Sequence, residues 1–161
     1  MRYDPAAHHR RSLRLSFYDY SQVGAYFVTV CTWNRELLLE SKAVRDAVQV
    51  AWEGLPSRFP DVALDDFVVM PNHVHGIIVL QGRGIVGAQQ AGAPTLGKVV
   101  RAFKSLSAIE ANRILGGGGA FWHRNYYEHV MRDEKDLDRV RRYIQENPLK
   151  WAEDPDNPAN W

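Results

Sequence analysis

Cysteine is almost missing from this sequence. Cys31 stands alone, so no internal disulfide can form, and a reducing cytoplasm is the expected compartment. Its place inside an apolar run reads as a buried strand residue rather than a nucleophile. Long apolar runs are missing too. Nothing approaches the roughly 18 consecutive apolar residues of a membrane helix, so no membrane partner is expected. The first residues, MRYDPAAHHRRSLRLSF, are basic but lack an apolar stretch followed by a small-residue cleavage site, and do not read as a signal peptide. There is no excess of one charge either. The net charge is +1 over 161 residues, which does not by itself announce a nucleic-acid binder.

What is present is ordinary globular composition, 45% hydrophobic and 24% charged, enough for one domain with a real core over 1–161. Cations gather locally. Arg2, Arg10, Arg11 and Arg14 face only Asp4 and Asp19 in the N-terminal arm, and Lys98, Arg101, Lys104 and Arg113 share a later segment with Glu110. Either cluster can be a solvated face or a contact for phosphates.

Residues 25–33, AYFVTVCTW, are aromatic and β-branched and predict a strand that Asn34-Arg35 ends. Ser41 is placed to cap a helix in which Val44, Ala47, Val48 and Ala51 recur at helical spacing, with Gly54 and Pro56 closing it. LDDFVVM at 64–70 and HVHGIIVL at 73–80 predict two strands joined by a Pro71-Asn72 turn. The glycine-rich stretch 81–94 has no periodicity and reads as a loop. A helix begins near Thr95, with Leu96, Val99, Val100, Phe103 and Leu106 as its apolar stripe, and the Gly116–Gly119 run ends it. FWHRNYYEHVMR at 121–132 predicts a strand. Asp133 caps a last helix over 134–147, which Pro148 stops, with Leu137, Val140 and Ile144 as its stripe and Leu149 following beyond. The tail, acidic and proline-broken, is expected to be irregular. The order β-α-β-β-α-β plus one helix is the ferredoxin-like pattern. An α+β fold is expected: an antiparallel sheet, two helices on one face, and a further C-terminal helix.

His73 and His75 are two apart on a predicted strand, so both imidazoles share a face and can chelate one divalent ion when neutral. A bare H-x-H recurs by chance, and two such histidines can simply hydrogen-bond. On the last helix Tyr143 lies about 100° from Ile144, at the border of the apolar stripe, and Asn147 follows at i+4 on the same face. A tyrosine nucleophile and an amide-oxygen ligand can thus be presented together. A tyrosine at the core edge and an asparagine ending the helix give the same pattern. A phenol with a pKa of about 10 becomes a useful nucleophile when a cation lies near and the phosphodiester energy must be conserved.

These segments resemble a known family. PNHVHGIIVL is similar to the His-hydrophobe-His motif of the HUH single-tyrosine transposases. LGKVVRAFKSLSA with FWHRNYYEHVMRDEKDLDRVRRYIQENPLKW resembles the REP-associated tyrosine transposases, in a match over roughly 18–151 that leaves a basic arm, 1–17, and a tail, 152–161, outside it. The resemblance implies a metal-dependent endonuclease and strand transferase that nicks and rejoins single-stranded DNA at hairpins of REP-like repeats, through a 5′-phosphotyrosine link and a free 3′-hydroxyl. Carried over, Tyr143 is the catalytic nucleophile, His73 and His75 are metal ligands, and Asn147 falls at a third, amide ligand. The implied ion is Mg²⁺ or Mn²⁺, and two imidazoles favour Mn²⁺ or Zn²⁺ over Mg²⁺. Arg101, Lys104, Arg10, Arg11, Arg14 and His129 are the expected DNA contacts. The chain is expected to act as a monomer or homodimer. Tyr126 and Tyr127 are rival nucleophiles, one of which should face the core.

Two other functions compete. An aromatic-bearing sheet can bind single-stranded nucleic acid without catalysis. A metal-dependent phosphohydrolase of small substrates would need a water nucleophile and more carboxylates near the histidines, where Asp65 and Asp66 offer weak support.

Overall fold

Alternation along the central strands sorts their side chains into two sets, and the sets meet different helices. The computed structural model describes residues 23–82 and 94–161. Its elements are β1 (Gly24–Cys31), α1 (Lys42–Glu53), α2 (Leu55–Arg58), β2 (Val62–Met70), β3 (His73–Leu80), α3 (Leu96–Leu115), β4 (Tyr127–Val130) and α4 (Glu134–Glu146). The strands form one antiparallel sheet in the order β2-β3-β1-β4. Each β-α-β unit therefore has a strand of the other unit between its own two, the split arrangement expected from the element order.

Caps read from the sequence hold the main helices. The Ser41 and Thr95 hydroxyls accept from the Val44 and Lys98 amides, the Asp133 carboxylate accepts from the Asp136 amide, and Gly116 ends α3 at φ 68°. On one face of the sheet α1 and α3 pack a dry core: Tyr26, Val28 and Val30 of β1, Val74 and Ile78 of β3, and Trp52 and Phe103 from the helices are all buried. Gly76 is part of this packing. A Cβ there would stand 2.5 Å from the Trp52 ring and 3.0 Å from Phe67, two rings stacked with centres 4.3 Å apart. On the other face α4 covers Phe27, Ile77, Val140 and Ile144.

Several expectations need correction. The first strand starts one residue earlier than expected and stops at Cys31, because Asn34 and Arg35 turn the chain with φ of 52° and 56°. Cys31 is half-buried, and its sulfur accepts from the Arg35 guanidinium at 2.8 Å. Beyond Gly54 a short helix, α2, follows. Of the strand expected over 121–132 only Tyr127–Val130 pairs; Trp122 makes an isolated bridge to Thr32, and Phe121 and Trp122 are buried in the core. Lys104 donates to the His123 and Arg124 carbonyls at 2.7 and 3.0 Å. Leu149 does not extend the apolar stripe of α4: it is 87% exposed. The tail is not merely irregular. Asn147–Glu153 and Pro158–Asn160 form 3-10 turns, and Asp154 and Asp156 are buried.

Candidate active site

His73 and His75 lie on the α4 face of β3, the central-strand face opposite the dry core, and both are fully buried. Their Nε2 atoms face each other at 3.1 Å. Each ring is fixed from behind. His73 Nδ1 lies 2.8 Å from Asn72 Oδ1, and His75 Nδ1 lies 2.7 Å from the Thr29 hydroxyl on β1. The Asn72 amide nitrogen donates to the carbonyls of Arg35 (3.2 Å) and Asp156 (2.7 Å), so its oxygen is the atom turned to His73. An amide oxygen only accepts. His73 therefore carries its proton on Nδ1 and turns the Nε2 lone pair to His75. The Thr29 hydroxyl can donate or accept, so His75 can hold its proton on either nitrogen.

The sequence reading missed what holds Asn72. Arg35 reaches Asp156 in a salt bridge of 2.9 Å that is almost wholly buried, while the Arg35 carbonyl takes the Asn72 amide. The two left-handed residues after β1 thus sit where the chain must meet both the histidine turn and the C-terminal tail. The local signal was Pro71-Asn72, a turn whose asparagine proves to be completely buried.

Tyr143 reaches the same place from α4. Its ring centre lies 5.3 Å from that of His75 and 6.0 Å, edge-on, from that of Phe27, and the residue is 38% exposed. It is the border residue that the helical stripe predicted. One turn on, Asn147 is buried; its amide nitrogen donates to the Tyr143 carbonyl, and its Oδ1 meets no hydrogen-bond donor among the described residues. Asn147 is bracketed by Tyr143, against His75, and by Trp151, whose ring lies 6.0 Å from His73.

A β-bulge sets where α4 lies. Leu64 pairs with Ile78 and Phe67 with Gly76, so Asp65 and Asp66 together oppose Ile77. The extra residue returns Phe67 to the dry side and turns both carboxylates to α4. Arg141 grips Asp65 with two bonds of 2.9 and 2.6 Å, and Gln145 donates to Asp66 at 2.7 Å. The Arg141 hydrogen bonds, working against burial, hold the Asp65 carboxyl below its ordinary range. The two adjacent aspartates between apolar residues were the visible sign of the bulge, and their partners are on α4 rather than at the histidines.

The structure brings together His73, His75, Tyr143 and Asn147, with His129 lining a cleft beside Tyr143. It does not bring Arg101 and Lys104 there. Both lie on α3, across the sheet, and Lys104 is bound to the 123–124 carbonyls; burial pushes its ammonium down, with Cys31 acting the other way. Arg10, Arg11 and Arg14, and nearly all of the 81–94 loop, lie outside the described residues. Tyr126 packs against the dry core and Tyr127 faces α4, as strand alternation requires.

No group of three or more His, Cys, Asp or Glu side chains that could hold a metal ion occurs among the described residues. The donors that fit are two imidazoles and one amide. Two imidazoles sharing an ion at about 2.0–2.1 Å hold their nitrogens about 2.9–3.4 Å apart, and the observed 3.1 Å lies in that range. The Asn147 oxygen is a buried acceptor without a donor, which a cation would satisfy.

No family model matches the chain. A Haemophilus influenzae protein described only as uncharacterized is 38% identical over 175 residues, 95% of this chain and 96% of the relative. Another from the same organism, provisionally named a REP-associated tyrosine transposase, is 26% identical over 135 residues, 82% of this chain and 74% of its own length. The solved structure of a REP-associated tyrosine transposase bound to a REP hairpin superposes with a TM-score of 0.63 at 23% identity, covering 87% of this chain and 73% of that one. The chain is similar to the REP-associated tyrosine transposases in sequence and in fold. Its fold also matches a provisionally named transposase from Deinococcus radiodurans, TM-score 0.52 at 19% identity, covering 84% of this chain and 96% of that one. The likeness to the two solved structures is one of fold, and in this chain the four-stranded antiparallel sheet carries the histidine pair.

Proposed function

We propose that this protein is a metal-dependent nuclease and strand transferase acting on single-stranded or hairpin DNA, with Tyr143 as the nucleophile. One observation carries the reading: a buried, facing imidazole pair with a half-exposed tyrosine ring against it, and a buried amide oxygen in need of a donor one turn along the same helix. All of these groups lie within one chain.

In this reading His73, His75 and Asn147 would hold a divalent ion, Mg²⁺ or Mn²⁺, which would supply positive charge for the scissile phosphate. Thr29 and Asn72 hold the two rings with their Nε2 atoms forward. The Tyr143 oxygen attacks phosphorus, the bond to the 3′-oxygen breaks, and the phenolic proton is lost as the departing oxygen gains one. The product is a 5′-phosphotyrosine and a free 3′-hydroxyl; the bond energy is kept, and the reverse attack rejoins the strand. The relative solved with a REP hairpin supports this class of substrate. No helix among the described residues is long and apolar enough to cross a membrane, and the cytoplasm is the compartment we propose.

The test is covalent trapping. A labelled hairpin strand with Mn²⁺ should give a denaturant-resistant adduct whose nucleotide maps to Tyr143. Tyr143→Phe, which removes one oxygen, should lower adduct formation by about 10⁴-fold or more without changing the melting temperature. An adduct on Tyr127, or one that persists in Tyr143→Phe, overturns the assignment. Tight strand binding with no adduct under any metal would favour the non-catalytic binding module.

A further inference from the structure

The α4 face contains a cleft that the histidine pair does not fill. It has a volume of about 440 Å³ and lies between β4 and α4, beside Tyr143. Sites for small ligands run to roughly 300–1,000 Å³. Its base is apolar: Phe27 and Val140 close it, both 7% exposed. Its walls are aromatic. The Tyr127 and Tyr143 rings stand edge-on to Phe27, with centres 6.1 and 6.0 Å away. At its rim are two hydrogen-bond donors, His129 and Arg139, joined by Asp136.

The burial of that last group matters. The Asp136 side chain is only 11% exposed, while that of Arg139 is 71% exposed and that of His129 29%. The carboxylate is spent inside the cluster, on Arg139, on His129 at 2.8 Å and on the Arg132 amide at 3.2 Å. What the rim offers to solvent is the donor side of the cluster.

We propose that this cleft seats one unpaired base of the DNA strand, at a nucleotide next to the phosphate that Tyr143 attacks, with Arg139 and His129 on the adjoining phosphate. The inference rests on the proposed nuclease function and adds a position of the substrate to it. A flat π-face suits aromatic walls and an apolar base, and each stacked base contributes about 1–3 kcal/mol. A bare sugar-phosphate would leave the apolar depth unfilled. A paired base cannot enter, because both its faces and its pairing edge are occupied in the duplex. The cleft thus selects for an unpaired strand at the point of cleavage, with no sequence-reading contact required.

An abasic scan tests this. Hairpin strands carrying a single abasic residue at successive positions are titrated against the full chain by fluorescence anisotropy, and adduct formation is followed in parallel. One position next to the cleaved phosphate should bind about tenfold more weakly without its base. Tyr127→Ala should weaken the intact strand by a similar factor and leave the strand abasic at that position unchanged, so that the two losses do not add. Tyr127→Leu, which keeps the apolar fill, should show the same loss and controls for folding. Arg139→Ala should reduce the slope of log affinity against log salt by about 0.7, one phosphate contact. If every abasic strand binds and reacts like the intact one while the Tyr143 adduct still forms, the cleft proposal falls and the nuclease reading stands. A strand that neither binds nor reacts removes both.

Discussion

The two faces of the sheet are built from the same strands by opposite rules. Under α1 and α3 the inward positions are mainly apolar, with Ser107 and Glu128 as buried polar exceptions, and Trp52, Phe67, Phe103 and Trp122 interlock with ring centres 4.3–6.3 Å apart. Under α4 the apolar cluster has four fully buried members, and the neighbouring positions hold Thr29, His73, His75 and Asn147, all buried. Burying a polar group costs free energy unless a partner is supplied, and here partners arrive from β1, from the turn before β3 and from the tail. The Asn147 oxygen is the exception. The comparison separates the roles: one face supplies stability, and the other spends part of it on a polar site.

Changes on either face sharpen that division. The largest effect is expected on the dry side. Phe103→Ala should cost about 3–5 kcal/mol in chemical denaturation, with the Mn²⁺ affinity of the folded protein unchanged; a loss of affinity would mean that the faces are coupled. Next comes the support of the histidines. Asn72→Ala should weaken Mn²⁺ binding about 10–100-fold by calorimetry, and the ¹⁵N signals of His73 should lose the pure Nδ1–H pattern. Retained affinity would show that Asn72 only closes a turn. Smaller again is the clamp on α4. Asp65→Asn should slow adduct formation about tenfold through misplacement of Tyr143 while costing about 1 kcal/mol or less in stability, with Mn²⁺ affinity intact.

The smallest effect concerns pH. The Arg139 hydrogen bond, helped by His129 and the Arg132 amide, holds the Asp136 carboxyl down at about 2 against an ordinary 3.8. A depressed carboxyl stabilises the fold above its unfolded value and loses that contribution as the pH falls through the folded one. Wild type should therefore lose an additional stability of under about 1 kcal/mol between pH 4 and 2 that Asp136→Asn lacks. Parallel curves for the two proteins would remove Asp136 as a link between β4 and α4.

Much of this was readable in one dimension. Helix caps act within three residues, so Ser41, Thr95 and Asp133 were legible as helix starts. Period-two spacing put His73 and His75 on one face, and period-3.6 spacing put Tyr143 at the edge of its stripe with Asn147 above it. These are local rules, set by backbone geometry. The sequence by itself determined which residue types recur on which face of each element.

Only the tertiary structure decided which elements meet. Asn72 and Asp156 are 84 positions apart and share a hydrogen bond, and Arg141 and Asp65 are 76 apart. No spacing rule connects them, because each contact exists only after the sheet has formed and α4 and the tail have closed over it. The same holds for Arg101 and Lys104: their charge is visible in the sequence, but the side of the sheet on which α3 packs is not, and that side is turned away from Tyr143. The bulge at Asp65-Asp66 lies between the two cases. Its broken alternation was written in the chain, yet its direction was fixed by the demand that Phe67 reach Trp52 while both carboxylates reach α4.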